Sequence, residues 1–345
     1  MHSKSVTAPE RKDLVVVAGG GGFIGGHLVG RLLAGGARVR SIDKKPLDEW
    51  YQVHPEAESV VADLSDPRNC EATLVDASGV YNLAADMGGM GFIENNKALC
   101  MLSVLINTNL LLAARDTVER FFFASSACVY AADKQSDPAN PGLTESDAYP
   151  AMPEDGYGWE KLFSERMCRH FDEDFALPTR VGRYHNVYGP LGTWTGGREK
   201  APAAICRKVA EAMLSGSHTI EIWGDGEQTR SFMYIDDCVH GTLALMESEV
   251  TEPVNIGSSE MVTINQLVDI VERIAGITCQ RHYNLSAPRG VSGRSSDNSL
   301  IRERLGWEPS IRLQTGLEAT FSWVFDQVSA ASSGLLKPRH RLKRS

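Results

Sequence analysis

The stretch that decides the fold is residues 14–43, LVVVAGGGGFIGGHLVGRLLAGGARVRSID. Its first six residues form an apolar run that ends in glycine, as the buried strands of parallel sheets do. Residues 23–36 place apolar side chains at helical spacing and stop at two glycines, and residues 37–43 read as a second strand. The order strand, glycine loop, helix, strand predicts a βαβ unit of a parallel sheet.

The loop between this first strand and first helix is rich in glycine, with Gly19, Gly22 and Gly25 at its turns. Glycine lets the chain turn tightly and brings backbone N–H groups against a pyrophosphate at the helix N-terminus. A glycine cluster alone is also typical of an ordinary turn, but here the surrounding elements occur in the order that dinucleotide binding requires. We therefore expect a cofactor site here, which includes Phe23 and Ile24 at the start of the helix.

Acidic residues at the ends of the next two strands bear on the choice of cofactor. Asp43 closes the second strand, where a carboxylate binds both ribose hydroxyls and repels a 2′-phosphate, so NAD is favoured over NADP. Lys44 and Lys45 follow immediately and weaken that preference. Asp63 and Leu64 end the next strand, at the rim where adenine would lie, although Asp63 equally fits a turn.

The rest of the chain falls into two patterns. Strand patterns at 59–64, 79–85, 119–127 and 179–189 alternate with helical patterns, among them 99–115 and a helix from Tyr157. This rhythm predicts an α/β fold with a Rossmann-type, doubly wound parallel sheet. After about Tyr188 glycine and proline become frequent and the segments less regular, which indicates a smaller mixed α/β substrate domain.

We expect the two domains to share the chain rather than divide it at one linker. The NAD-binding domain is predicted over 1–185 with a returning segment near 232–257, the nucleotide-sugar domain over 186–231 and 258–330, and a basic tail over 331–345.

Bulk composition excludes several classes of protein. A formal net charge of −9 argues against nucleic acid as the main partner. No apolar run approaches the length of about 20 residues that spans a bilayer, and the polar N-terminus lacks an apolar signal core. The seven scattered cysteines form no C-x-x-C pair, so neither a metal site nor a disulfide framework is indicated. We expect a soluble protein of a reducing, cytoplasmic compartment.

A tyrosine and a lysine supply the first catalytic candidates. Tyr157 and Lys161 are four residues apart and share one face of a helix. The ammonium stabilises a phenolate, so the tyrosine can accept a proton when a hydride leaves the same carbon. By itself this spacing is usually a surface pair. The cofactor loop, together with Ser125 and Ser126 at the end of the preceding strand, makes it a strong signal; either serine could bind the reacting hydroxyl, and Ser126 is favoured.

These motifs together resemble one enzyme family. AGGGGFIGGHL (18–28), Asp43, ASSACVY (124–130), YGWEK (157–161) and RYHNVYGP (183–190) are similar to the extended short-chain dehydrogenase/reductase family, and the match covers residues 14–327. The resemblance implies an enzyme that uses bound NAD on a nucleotide sugar. Segments such as 82–93, 192–208 and 222–232 resemble more narrowly the members of that family that epimerise GDP-mannose.

Cys128 is the informative position within this resemblance. A 4,6-dehydratase of the family would carry carboxylates where this chain has Ser126, Ala127 and Cys128, so we expect no carboxylate acid or base at the site and dehydration is disfavoured. A thiol can exchange protons made acidic by a ketone, although a buried inert cysteine is the commoner case. Lys200 is the expected partner on the opposite face of the sugar, and its plain alternative is a solvated loop lysine.

The resemblance implies a reaction with no net redox change. Tyr157 takes the C4 hydroxyl proton while NAD takes the C4 hydride. Cys128 then removes a proton from C5 or C3 of the 4-keto sugar, and Lys200 returns one on the other face. Hydride return would yield GDP-L-galactose, with GDP-L-gulose from inversion at C5 alone.

Further residues of the matching segments are expected to bind the substrate. Cations would hold the diphosphate, amides, hydroxyls and a carboxylate would hold the nucleotide and sugar, and a glycine would let the backbone approach the sugar. Several of them could equally be ordinary surface charges or a turn. The set is Gly88, Ser126, Ala127, Cys128, Asn186, Glu199, Lys200, Lys208, Gln228, Thr229, Arg230 and Arg294.

Two alternative functions remain open, and a homodimeric assembly is expected. A 4-epimerase or a 5-epimerase acting on a related GDP-sugar would share this fold, and a 4-epimerase would not need the thiol. A non-enzymatic NAD-binding sensor would tend to lose the tyrosine or the lysine. The resemblance also implies a homodimer, through the helix after Tyr157 and the long helix near 98–114.

Overall fold

The computed structural model describes residues 13–139, 142–287 and 290–334. The polar N-terminal residues 1–12 and most of the predicted basic tail lie outside these residues. The strands are β1 Leu14–Ala18, β2 Arg38–Asp43, β3 Glu58–Val61, β4 Ala77–Asn82, β5 Arg120–Ser126, β6 Thr179–Tyr184, β7 Val187–Tyr188, β8 Thr219–Trp223, β9 Thr229–Ser231, β10 Met233–Tyr234, β11 Val254–Ile256, β12 Met261–Thr263, β13 Gln280–Asn284 and β14 Gly293–Arg294. The helices are α1 Phe23–Ala34, α2 Pro67–Thr73, α3 Met90–Asn95, α4 Lys97–Met101, α5 Ser103–Ala114, α6 Tyr157–Phe175, α7 Ala201–Ser215, α8 Ile235–Glu247, α9 Ile264–Ala275, α10 Ser299–Leu305 and α11 Leu313–Ser332.

A seven-stranded parallel sheet forms the body of the protein, in the order β11-β6-β5-β4-β1-β2-β3. The strand order reverses at β1, which pairs with β2 on one side and β4 on the other. In such sheets the crevice at the carboxyl ends of these strands is where ligands bind. The predicted doubly wound α/β class is confirmed.

Alternate residues of the central strands pack in two hydrophobic cores, one on each face of the sheet. On β5, Phe121 and Phe123 pack in the core that contains Leu110 of α5, whereas Phe122 packs in the core that contains Leu28 of α1. This follows from the two-residue repeat of a strand. Covering helices on both faces explain why the strands read as continuous apolar runs.

A third core, in the second half of the chain, forms around α7, α9 and α11 and includes Val209, Leu267 and Leu317. Three small sheets lie outside the large one: β10-β7, β12-β9-β14 and β13-β8. The returning strand β11 adds to the edge of the large sheet beside β6, with Val254 opposite Gly182. This placement supports the predicted division into two interwoven domains, whose boundaries remain a prediction. Helix α11 runs to Ser332 and so includes the first two residues assigned to the tail.

The single helix predicted over 99–115 is divided in two, because α4 ends at Met101 and α5 begins at Ser103. The stretch Lys97–Ala114 has 18 residues and a mean hydropathy of 1.6, which by length and composition would suffice to cross a membrane. Core helices of soluble proteins meet the same criterion, and here Ile106, Leu110 and Leu111 are buried in the core of the sheet.

Candidate active site

The glycine loop forms a close backbone cradle at the carboxyl end of β1. Gly19 has φ +84°, and a Cβ there would lie 2.9 Å from the backbone nitrogen of Ala84. A Cβ at Gly25 would lie 2.1 Å from the carbonyl oxygen of Gly19. Gly22 is the extended residue that precedes α1, so the first N–H groups of this helix face the crevice. The cradle fits a pyrophosphate and has no room for side chains.

Asp43 ends β2 next to this cradle, as expected for a ribose ligand. The backbone N–H of Lys45 donates to Asp43 Oδ1 across 3.1 Å. The two lysines that weakened the NAD assignment have other partners: Lys44 Nζ lies 2.6 Å from Asp86, and Lys45 Nζ donates to the Gly21 carbonyl at 2.9 Å.

For the other expected cofactor residues, the structure gives less direct evidence of a contact with the cofactor. Asp63 is exposed, and the Ser65 N–H donates to its carboxylate at 2.9 Å, which lowers the pKa of that carboxyl. This contact is typical of a turn, and the role of Asp63 at a cofactor stays a prediction. The Leu64 side chain is buried in the core, so only its backbone can face a cofactor. The Phe23 ring packs against Gly192, where a Cβ would lie 2.9 Å from it.

Tyr157 is the first residue of α6, and Lys161 lies one turn later on the same buried face. Lys161 Nζ is 5.5 Å from the centroid of the Tyr157 ring and 4.6 Å from that of Phe123. Burial raises the pKa of the phenol well above its ordinary value, and the charges of Cys128 and Glu160 act in the same direction. A neighbouring cation is therefore needed before this phenol can become a proton acceptor.

The two candidate serines face different partners. Ser125 Oγ donates to the buried carboxylate of Glu165, which also pairs with Arg183 at 2.8 Å. Hydrogen bonding from Ser126 lowers the pKa of Tyr157, and Ser126 Oγ accepts the N–H of Cys128 at 3.2 Å. Ser125 is thus engaged by a buried carboxylate and Ser126 lies beside the phenol, and the catalytic role of Ser126 stays a prediction.

Cys128 lies in the turn after β5 and is 6% exposed. Arg294 Nη1 lies 3.7 Å from its sulfur. The same guanidinium donates to Glu154 and to Gln135, and it is itself buried. Burial raises the pKa of the Cys128 thiol to about 12; the charge of Glu154 raises it further and that of Arg294 opposes the rise. The thiol is consequently protonated near neutral pH.

A carboxylate does reach this site, contrary to the expectation from residues 126–128. Glu154 belongs to the loop before α6, and its backbone N–H donates to the Cys128 carbonyl across 3.0 Å. Glu154 was not predicted from the sequence, because a carboxylate was sought only among the residues that follow β5. Its position three residues before Tyr157 was the available signal.

Lys200 immediately precedes α7 and is half-buried. Burial lowers its pKa, and the charge of Cys128 acts on it in the opposite direction. The segment before Lys200 packs on the loop after β4: the Gly89 N–H donates to the Arg198 carbonyl at 3.0 Å, and a Cβ at Gly89 would lie 2.6 Å from the Glu199 carbonyl oxygen. Arg198 also lies over the Phe92 ring, 3.7 Å from its centroid.

Two strands bring the predicted phosphate-binding arginines side by side. β9 pairs with β14 in parallel, with Arg230 opposite Arg294. Burial lowers the pKa of Arg230 to about 9, and the neighbouring charge of Arg294 contributes to this. Arg294 is enclosed by Cys128, Glu154 and Gln135, so it is placed at the thiol. Its predicted contact with a diphosphate stays a prediction.

The remaining predicted substrate residues are held by protein contacts. Gly88 is buried, with Phe92 where a Cβ would lie, and Ala127 is buried within the thiol turn. The other contacts are Asn186 Nδ2 to the Ser231 carbonyl (3.0 Å), Glu199 to the Gly197 N–H (2.7 Å) and to Arg207 (3.3 Å), Lys208 Nζ to the Glu221 carbonyl (2.6 Å), Gln228 Nε2 to the Trp223 carbonyl (3.0 Å) and Thr229 Oγ1 to the Pro138 carbonyl (2.5 Å).

Trp223 is a second residue that the sequence analysis missed. Its side chain is 43% exposed, Lys208 Nζ lies 5.9 Å from its ring centroid, and a Cβ at Gly91 would lie 3.9 Å from the ring. The indole therefore presents an exposed aromatic face beside a cation, and such a face can stack against a flat ring. Among the described residues, no group of His, Cys, Asp and Glu side chains has an arrangement that could hold a metal ion.

The sequence profile of the NAD dependent epimerase/dehydratase family matches residues 15–257, which is more than half of the chain. The chain belongs to this family. NAD is accordingly its cofactor, as the glycine cradle and Asp43 indicated. Catalysis as an NAD-dependent nucleotide-sugar epimerase is thereby confirmed as the class of function.

Individual members of the NAD dependent epimerase/dehydratase family and related solved structures are also similar to this chain. GDP-mannose 3,5-epimerase 1 of Oryza sativa subsp. indica is 46% identical over 322 residues, which cover 93% of this chain and 84% of that relative. Among solved structures, UDP-glucose 4-epimerase of Thermotoga maritima, crystallised with UDP-glucose, has a TM-score of 0.82 at 25% identity and covers 91% of this chain and 99% of its own. UDP-glucuronic acid 4-epimerase of Bacillus cereus, in complex with UDP-glucuronic acid and NAD, has a TM-score of 0.74 at 27% identity, with coverage of 91% and 99%.

Proposed function

We propose that this chain is a GDP-mannose 3,5-epimerase, which converts GDP-D-mannose into GDP-L-galactose and GDP-L-gulose. The identity of 46% to the rice enzyme of that name supports the substrate. The observation that carries the reaction type is the buried thiol of Cys128, which contacts Arg294 and packs in the same buried cluster as Tyr157. Inversion beside a ketone requires a proton-exchanging group at such a place, whereas epimerisation at C4 alone does not.

The redox half of the reaction belongs to Tyr157 and Lys161. Bound NAD supplies a reversible hydride acceptor for C4 of the sugar. The phenol of Tyr157 accepts the proton of the C4 hydroxyl, and the Lys161 ammonium on the same helix face stabilises the phenolate. Ser126 hydrogen-bonds the phenol, which lowers its pKa and fixes the ring toward the reacting hydroxyl.

The inversion half belongs to Cys128 and Lys200. A ketone at C4 acidifies the protons on C3 and C5, which lie on the same face of a D-mannose chair. One proton acceptor on that face and one proton donor on the other therefore serve both carbons. Burial raises the pKa of the Cys128 thiol and lowers the pKa of the Lys200 amine, and each group can exchange a proton.

The nucleotide half of the substrate is assigned to the sheet β12-β9-β14 and the end of β8. Arg230 and Lys208 supply positive charge for the diphosphate, and the exposed indole of Trp223 supplies a face for the guanine. Asn186, Gln228 and Thr229 support the backbone of this region through their contacts with carbonyl groups.

We also propose that the protein is a cytoplasmic homodimer. Helices α5 and α6 pack together and expose large apolar side chains: Leu105 and Leu112 on α5, Trp159 and Phe163 on α6, with exposed fractions between 44% and 52%. A patch of this kind is costly to leave in water and marks a protein interface. All seven cysteines are free, which suits a reducing compartment.

Product analysis tests the proposal. The purified protein is incubated separately with GDP-mannose, UDP-glucose and UDP-glucuronic acid, and the sugars are identified by NMR. The proposal predicts GDP-L-galactose and GDP-L-gulose from the first and no conversion of the others. Cys128→Ala should lose this activity, and Cys279→Ala, which removes another buried thiol, should keep it. Conversion of a UDP-sugar but not of GDP-mannose would overturn the assignment.

A further inference from the structure

Arg198 lies two residues before Lys200 and contacts the loop after β4 through its side chain. Its guanidinium stacks on the Phe92 ring of α3, with Cζ 3.7 Å from the ring centroid. Its Nη1 donates to the Met87 carbonyl at 3.4 Å and lies 4.0 Å from Oδ1 of Asp86. A planar guanidinium can stack on an aromatic face and donate hydrogen bonds along its edge at the same time, which a lysine ammonium cannot. The identity of this side chain as arginine is therefore part of the contact.

The backbone of the same segment also packs on this loop. The Gly89 N–H donates to the Arg198 carbonyl across 3.0 Å, and a Cβ at Gly89 would lie 2.6 Å from the carbonyl oxygen of Glu199. A Cβ at Gly88 would lie 3.2 Å from Cγ of Arg198. The two glycines of the loop after β4 therefore allow the segment that leads to Lys200 to approach closely.

Lys200 is held from two sides by the residues that precede it. Gly197 has φ +86°, and a Cβ there would meet no atom of the described residues within 4 Å beyond its chain neighbours, so packing does not fix this turn. Glu199 accepts the Gly197 N–H at 2.7 Å and pairs with Arg207 of α7 at 3.3 Å. Glu199 thus holds the segment to α7, whereas Arg198 holds it to the domain of the large sheet.

Asp86, which faces Arg198, is also held from the cofactor side. Its Oδ2 lies 2.6 Å from Nζ of Lys44, the residue that follows Asp43, and its backbone N–H donates to Ser103 Oγ of α5 at 3.0 Å. These two contacts do not involve Arg198. A substitution at Arg198 should therefore release the segment before Lys200 and leave the loop after β4 and the cofactor site in place.

We propose that Arg198 is a positioning residue that holds residues 197–200 against the loop after β4, and thereby places the Lys200 amine where it returns a proton to the sugar. The inference rests on the proposed function, in which the Lys200 ammonium gives its proton to the enolate carbon and is reprotonated by solvent. Removal of the first proton is assigned to Cys128, which lies in the turn after β5 on a separate segment of the chain. Loss of the Arg198 side chain should therefore slow the second proton transfer and spare the first.

Arg198→Met tests the proposal in the NAD-loaded full chain, with GDP-mannose in D2O. The initial rate of deuterium entry at C5 of recovered GDP-mannose reports the first transfer, and the initial rate of GDP-L-gulose formation reports inversion. We expect inversion to fall about 10²-fold, as for a catalytic group displaced by about 1 Å, while deuterium entry and NAD content change little. Arg198→Lys, which keeps the charge but cannot stack as a plane, should show a smaller fall of the same kind. Arg302→Met, at an exposed arginine of α10, is the matched control and should keep both rates.

Amide hydrogen exchange of the holoenzyme without substrate tests the contact itself. In Arg198→Met, peptides that contain Gly89 or residues 197–200 should exchange faster than in the native protein, and peptides from β1 should not change. Unchanged amide exchange in those peptides would overturn the proposal. So would native inversion, a parallel fall of deuterium entry and inversion, or loss of NAD from this variant.

The inference and the proposed function fail separately in these experiments. If the native enzyme does not convert GDP-mannose, the proposed function fails, and amide exchange still decides whether Arg198 holds the segment before Lys200. If Arg198→Met does not fold, Arg198→Lys decides by the same two measurements.

Discussion

The carbonyl oxygen of Cys128 packs directly against Gly158: a Cβ built at Gly158 would lie 2.3 Å from that oxygen. Gly158 follows Tyr157 in the first turn of α6, and the Glu154 N–H donates to the same carbonyl. The loop that carries the thiol is therefore fixed against the helix that carries the tyrosine. This close contact sets the register between Tyr157, proposed to act at C4, and Cys128, proposed to act at C5 and C3.

Gly158→Ala should disturb this register. The new methyl group cannot fit against a backbone oxygen, so the thiol loop or the first turn of α6 must move, at a cost of about 1–3 kcal/mol in the free energy of unfolding. We expect epimerisation to fall much more than NAD content, which is measured by the absorbance of the released cofactor. Gly79→Ala is the control, since its Cβ would make only ordinary van der Waals contacts, with the flexible end of Met246 at 3.5 Å and the Arg120 carbonyl oxygen at 3.9 Å. Native turnover in Gly158→Ala would refute the role of this contact.

Tyr157→Phe should abolish the redox half while leaving the protein folded. The variant lacks the acceptor for the C4 hydroxyl proton, and we expect turnover to fall by about 10²–10⁴-fold. Steady-state kinetics with bound NAD quantified measures the loss. Tyr283→Phe, at an exposed tyrosine, should retain full activity. Equal losses in both variants would show that the effect is not specific to Tyr157.

The pH dependence of turnover follows from the two proton-transfer groups. Burial lowers the pKa of Lys200, so its ammonium form is lost at a lower pH than that of an exposed lysine. The resemblance makes this ammonium the proton donor, so turnover should fall as the pH rises through that lowered pKa. A buffer series of kcat measurements checks this fall. Turnover that keeps rising with pH up to the ordinary lysine pKa of about 10.4 would contradict the assignment.

Separate loss of the donor and the acceptor should leave different traces in deuterated solvent. In Lys200→Met, Cys128 still removes a proton and exchanges it, so we expect GDP-mannose recovered from D2O to carry deuterium at C5 without inversion. In Cys128→Ala, no exchange is expected. NMR of the recovered substrate distinguishes the two variants, and the opposite pattern would make Lys200 the acceptor.

The apolar face of α5 and α6 gives a prediction about assembly. Leu105→Glu or Phe163→Glu places a charge within the proposed interface, and light scattering should then report a monomer where the native protein is a dimer. Leu285→Glu is a suitable control because Leu285 is 69% exposed and lies elsewhere. A monomeric native protein, or unchanged dimers in both interface variants, would refute the interface.

Features that depend on neighbouring residues could be predicted from the sequence. The glycine cradle, Asp43 at the end of β2 and the Tyr157–Lys161 face of α6 all follow from local spacing. The large parallel sheet follows from repeated apolar strands covered by helices. The break between α4 and α5 did not follow, because the apolar pattern continues through Leu102 without a proline or a glycine.

Contacts between distant segments could not be predicted in the same way. Arg294 is 166 residues from Cys128, and its place at the sulfur depends on the pairing of β14 with β9. Arg294 was expected to bind a phosphate because it is a cation in a segment that matches the family. Sequence spacing carries no information about which loop its side chain contacts. Glu154 is close to Tyr157 in sequence, yet the direction of its side chain depends on the same long-range contact with Arg294.

The incorporation of solvent deuterium into product tests the central claim most directly. GDP-mannose is incubated with the NAD-loaded enzyme in D2O, and the products are analysed by NMR and mass spectrometry. Inversion through a 4-keto sugar predicts GDP-L-gulose with deuterium at C5 and GDP-L-galactose with deuterium at C5 and C3. Product that carries no deuterium at these carbons, or a product inverted only at C4, would contradict the account.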